Sequence, residues 1–156
     1  MKTNNQLLKE LDEIDKKLDG YSNSYNDLKK LYQEELIERL KEKVQELNDK
    51  VNDLTINNEE KSKEISNLTN DVKKAETKGR ITEEEKQKLL TDLTNIESKQ
   101  TPIKEEAKNL QIEINNFINN NSEALKNNGE LNEKSNTLNT NINNTKSNIE
   151  NDDATI

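Results

Sequence analysis

The stretch Thr77-Lys78-Gly79-Arg80-Ile81-Thr82-Glu83-Glu84-Glu85 decides the fold. Gly79 tolerates the left-handed backbone that ends many helices, and Lys73, Lys74 and Lys78 complement the negative end of a helix dipole. Thr82 with Glu85 three residues later forms a capping box, and the three glutamates suit the positive end of a dipole. One helix is predicted to stop and another to start within about five residues, an ordinary length for a helix–helix connection.

Upstream of this turn, the apolar residues Leu7, Leu11, Ile14, Leu18, Tyr21, Tyr25, Leu28 and Tyr32 are separated by alternating steps of four and three. That alternation averages 3.5 residues and is the seam of a coiled coil. From Leu28 to Val44 the steps become fours, a stutter that locally relaxes a left-handed supercoil. The heptad resumes through Leu47, Val51 and Leu54, meets Asn58 and Lys61, and returns to apolar residues at Ile65, Leu68, Val72 and Ala75.

Downstream, the same alternation runs from Leu89 to Ile149 through 18 positions, 13 of them apolar. With 28% apolar residues in the chain, random placement would give about five, so the seam is a real pattern. Of its five polar members, Gln100 stands alone among apolar layers and the other four (Asn121, Asn128, Ser135 and Thr145) gather after Phe117. Asn competes with the helix backbone through its side chain, and 15 of the 27 Asn residues fall in 101–150. This part of the chain is expected to be the looser one. Asn127-Asn128-Gly129 and Ser122-Glu123-Ala124-Leu125 read as mild stop and restart signals within an otherwise continuous arm.

The fold class predicted is all-α: a long antiparallel two-helix coiled-coil hairpin with its turn near residues 78–82. Residues 1–150 form one unit, with arm one at 5–77, arm two at 82–149, and a frayed, disordered tail at 151–156. Pairing about Arg80 makes partner numbers sum to roughly 160. Pro102 then lies opposite Asn58, and the two are expected to form a shared hinge. The competing architecture is one continuous helix in a parallel dimer, against which Gly79 and the cap at Thr82 count.

Composition narrows the function. The 156 residues include 36% charged and 3% aromatic side chains, with a net charge of −8. So few apolar residues cannot fill a thick core, but they suffice for a narrow seam. With no His and no Cys, the usual zinc, copper, haem and iron–sulfur ligands are absent, as are the usual nucleophilic triads. No EF-hand loop is present, and Glu83–Glu85 and Glu105-Glu106 are explained by helix-start electrostatics. The expectation is no enzyme, no cofactor and no metal. The acidic balance argues against nucleic acid, and no apolar run approaches the ~20 residues of a membrane span.

The expected role is a structural or adaptor subunit in the cytoplasm that presents helix surface for protein–protein assembly. Its partners are other helical proteins or a second copy, in a homo-oligomer or hetero-complex. Leu36 with Ile37, and Leu110 with Ile112 and Ile114, exceed a two-per-heptad stripe and are the candidate partner surface. Tyr21, Tyr25 and Tyr32 read as core or partner-helix packing, and Gly79, Thr82 and Glu85 as the turn and cap. Alternative roles are a chaperone-like or tethering hairpin, and an acidic inhibitor occupying a basic site.

Overall fold

A computed structural model describes residues 2–156. Every regular element among them is an α-helix: α1 (Asn4–Lys78), α2 (Glu83–Asn120), α3 (Ser122–Lys126) and α4 (Gly129–Thr155). The chain divides into two compact units, one ending at Lys41 and the other spanning Glu42–Ile156.

In the second unit the α1–α2 connection follows its sequence signals. Gly79 has φ 68°, and its N–H reaches back to the carbonyls of Ala75 and Glu76 at 3.2 and 3.1 Å. Thr82 is extended (φ −74°, ψ 161°), and its hydroxyl accepts from the Glu85 N–H at 3.1 Å. The Glu85 carboxylate meets the Lys78 ammonium at 3.5 Å instead of turning to the cap. The helices then run antiparallel. Lys61 reaches Gln100, Lys88 approaches Asp71 at 3.8 Å, and Lys43 donates to Glu113 at 2.9 Å. The helical hairpin and its register about Arg80 are thus as the sequence predicts.

Arm two departs from prediction. It is not one helix over 82–149: α2 stops at Asn120, and the chain reverses through α3. The Asn121 side chain and backbone N–H both bond to the Phe117 carbonyl, at 2.9 and 3.2 Å. Asn128 is extended (φ −127°, ψ 101°), and its side chain accepts from the Leu131 N–H at 3.2 Å, capping α4. The residue type that weakens a helix interior is a preferred N-cap, so the Asn-rich segment here redirects a helix. α4 lies parallel to α1: Thr55 pairs with Thr145 at 2.9 Å and Ser62 donates to Asp152. It lies antiparallel to α2, where Gln111 meets Asn143 at 2.9 Å and Lys104 meets Asp153 at 2.6 Å.

The second unit is therefore a three-helix bundle built from the last part of α1, α2 and α4. Its core holds Val44, Leu47, Val51, Leu54 and Ile65 from α1, Ile96, Ile103, Ala107, Leu110, Ile114 and Phe117 from α2, and Leu131, Leu138, Ile142 and Ile149 from α4. Across α3 the seam shifts by one residue, burying Leu125 rather than Ala124. The tail expected to fray at 151–156 is helical through Thr155. Asp152 and Asp153 hold it by pairing with Lys61 and Lys104. Pro102 lies inside α2, which continues through it.

Candidate partner interface

From Leu7 to Tyr32, within the first unit, α1 carries the heptad seam without a cover. Leu7, Leu11, Ile14, Leu18, Tyr21, Tyr25, Leu28 and Tyr32 are all half or more exposed, from 50% at Leu7 to 76% at Tyr32. Leu8 and Leu31 beside them are equally open. Isolated surface leucines need no explanation, but a contiguous apolar stripe marks an interaction site. The helix backbone satisfies its own hydrogen bonds, so what remains unsatisfied is this apolar face.

Local sequence holds the segment helical. Gly20 is the weak point, costing about 1 kcal/mol against Ala. Thr3 opens the helix by exchanging bonds with Gln6: its N–H donates at 2.9 Å, and its hydroxyl accepts from the Gln6 N–H at 3.3 Å. Asp12–Lys16 at 3.2 Å and Glu35–Arg39 at 2.8 Å are successive-turn ion pairs. Each exposed pair is worth about 0.3–0.5 kcal/mol.

The candidate surface residues divide between two environments. Leu36 is 39% exposed and Ile37 half-buried, both in the first unit. Ile112 is 50% exposed on α2. Leu110 and Ile114, expected to face a partner, are instead buried at 4% and 0%. They lie in the bundle core, because α4 returns along α2 and takes up the surplus apolar surface. A hairpin register about Arg80 sets Leu7 to Tyr32 opposite residues 128–153, yet all eight are exposed, which leaves partner-helix packing rather than core as the reading for Tyr21, Tyr25 and Tyr32.

The bundle contains a second unusual constellation. Lys61 is fully buried on the seam of α1, with its ammonium donating to the Gln100 Oε1 and 3.4 Å from the Asp152 carboxylate. Gln100 in turn donates to the Ile149 carbonyl at 3.3 Å. Burial pushes the Lys61 pKa below its ordinary value, while Asp152 acts in the opposite direction. A buried charge costs several kcal/mol unless it is paired and hydrogen-bonded, and here one residue from each helix contributes to the pairing. Any slip of one helix past the others leaves Lys61 unpaired, so the layer locks the three-helix register. Asn58, one turn away, is 3% exposed, and its Oδ1 accepts no hydrogen bond.

On the exterior, Glu113 receives Lys43 at 2.9 Å and Lys50 at 3.4 Å. The Lys43 hydrogen bond holds the Glu113 carboxyl below its usual range, and the same contact raises Lys43. Among the described residues, no group of three or more His, Cys, Asp or Glu is arranged to hold a metal. No described helix is long and apolar enough to cross a membrane.

Fold and surface together define an all-helical coiled-coil protein, with one seam closed into a bundle and one left open. No protein-family model matches the chain, and neither a curated protein nor a solved structure is significantly similar to it.

Proposed function

We propose that this chain is a non-enzymatic assembly protein whose working surface is the open seam of α1, Leu7 to Tyr32. The observation that carries the reading is the contrast between two stretches of one helix. From Val44 to Leu54 the seam residues are at most 5% exposed, whereas from Leu7 to Tyr32 none is below 50%. The same heptad pattern that is consumed inside the bundle is repeated with nothing upon it. A partner helix with complementary heptads is the ligand that fits such a stripe.

The bundle serves as a self-contained anchor, with its register set by Lys61, Gln100 and Asp152. We place the protein in the cytoplasm, where a chain without cysteine gives up no disulfide stabilisation. The alternative of a client-gripping C-terminal end has less support, because Leu131, Leu138, Ile142 and Ile149 are all buried.

The triple variant Leu11→Asp, Leu18→Asp, Leu28→Asp tests the reading. Each substitution puts a charge where a partner helix would exclude water. The wild-type chain is expected to sediment as part of a larger assembly, alone or with proteins retained from extract of the source cell. The variant is expected to sediment as a single chain with an unchanged unfolding midpoint for the bundle. Identical assemblies for the two chains would overturn the proposal.

A further inference from the structure

We infer that the occupant of the open seam is a second copy of this chain, docked antiparallel through residues 7–32. This rests on the reading of that seam as an assembly surface and adds the partner, direction and register. The seam is symmetric in its spacing. The steps from Leu7 to Tyr32 are four, three, four, three, four, three, four, the same read from either end. Reversing one copy about the midpoint between Asp19 and Gly20 lays every seam residue level with another. Leu7 meets Tyr32, Leu11 meets Leu28, Ile14 meets Tyr25, and Leu18 meets Tyr21.

Side-chain size favours the antiparallel direction. In the antiparallel register each tyrosine faces an aliphatic side chain, so large and small alternate and the layers interdigitate. In a parallel, in-register pair the three tyrosines would face their own copies and swell three layers while Leu11, Ile14 and Leu18 form narrow ones. A tyrosine beside a leucine also lies along the seam with its hydroxyl at the wet edge.

Flanking charge favours it as well. In a parallel pair, Glu10 of each copy flanks the seam against Asp15 of the other, giving two like-charge approaches and no opposite-charge one. Reversal separates them. It brings Asp15 of each copy to within about five residues, or ~8 Å along the axis, of Lys29 of the other. These two favourable approaches are set against one between the two copies of Lys17.

The area is sufficient. At about 200 Å² per tyrosine and 65–76% exposure, the tyrosines of two copies offer on the order of 800 Å². The aliphatic seam residues carry the available surface past the ~1,200 Å² of a stable interface.

The chain has no cysteine, so engineered thiols report the geometry cleanly. Leu11→Cys and Leu28→Cys chains carrying different tags are oxidised separately and as a mixture. The register predicts a disulfide-linked dimer only in the mixture, containing one chain of each kind. Residue 11 of one copy lies about 25 Å from residue 11 of the other, beyond the reach of a disulfide. Sedimentation of the unmodified chain should show a dimer, weakened more than about tenfold by Leu18→Asp.

Cross-linking of Leu11→Cys with itself would establish the parallel arrangement and overturn the inference. A wild-type chain that stays monomeric at every concentration would also overturn it. If the triple aspartate variant then still lost a different bound protein, the seam would remain an assembly surface with another occupant. If it lost nothing, both readings would fall.

Discussion

Asn58 shows how a seam position can be retained at a cost. Its Oδ1 is buried without a hydrogen bond, a condition that costs about 1–3 kcal/mol. Leucine has the same branched arrangement of side-chain heavy atoms and no polar atom to satisfy. Asn58→Leu should therefore stabilise the bundle by about 1 kcal/mol, read as a higher urea midpoint at unchanged slope. Glu113 gives a second residue-scale prediction. Its folded pKa lies below its ordinary value of 4.5, chiefly through the Lys43 hydrogen bond. Its contribution is therefore complete above the unfolded value and is lost as pH falls through it towards the folded one. Lys43 is raised above 10.5, so its part persists below that value and is lost as pH rises beyond it. Urea midpoints between pH 6 and pH 3 should fall more steeply for wild type than for Glu113→Gln. Parallel curves would show that the contact contributes nothing.

At the scale of elements, the first turn was legible and the second was disguised. Gly79 and Thr82 announce a helix end and start by chemistry that needs no tertiary information. Asn127-Asn128-Gly129 announces the same thing more softly. The heptad phase runs straight across it, because Phe117 and Leu131 are 14 residues apart, a whole number of heptads. Periodicity alone cannot separate a continuous helix from two helices whose seams stay in phase. The reversal at Asn121–Asn128 also explains why Leu110 and Ile114 are core rather than partner surface. The contrast between elements is measurable by urea denaturation of the separated chain. Ile142→Ala, in the α4 core with 0% exposure, should cost about 2–5 kcal/mol. Leu18→Ala, on the open seam, should change stability by less than about 0.5 kcal/mol. Equal costs would mean that the two seams are covered alike.

On the scale of the whole molecule, the low apolar content acquires a specific meaning. The 28% apolar fraction is divided between a seam closed within the chain and a seam exposed along the first unit. The sequence carries both as one pattern, because a heptad is the same whether its partner lies in the chain or outside it. What separates them is the boundary of α2, which stops at Asn120 after 38 residues, against 75 in α1. That single boundary turned eight seam residues from expected core into expected interface.

If Leu7 to Tyr32 is the assembly surface and the bundle is complete without it, amide hydrogen exchange will separate the two. The full chain is compared in its assembled state and as the triple aspartate variant. Slowed exchange on assembly is expected within residues 7–32, while the bundle, residues 42–156, exchanges equally in both. Protection that appears in the bundle instead, or no difference over 7–32, would contradict that assignment.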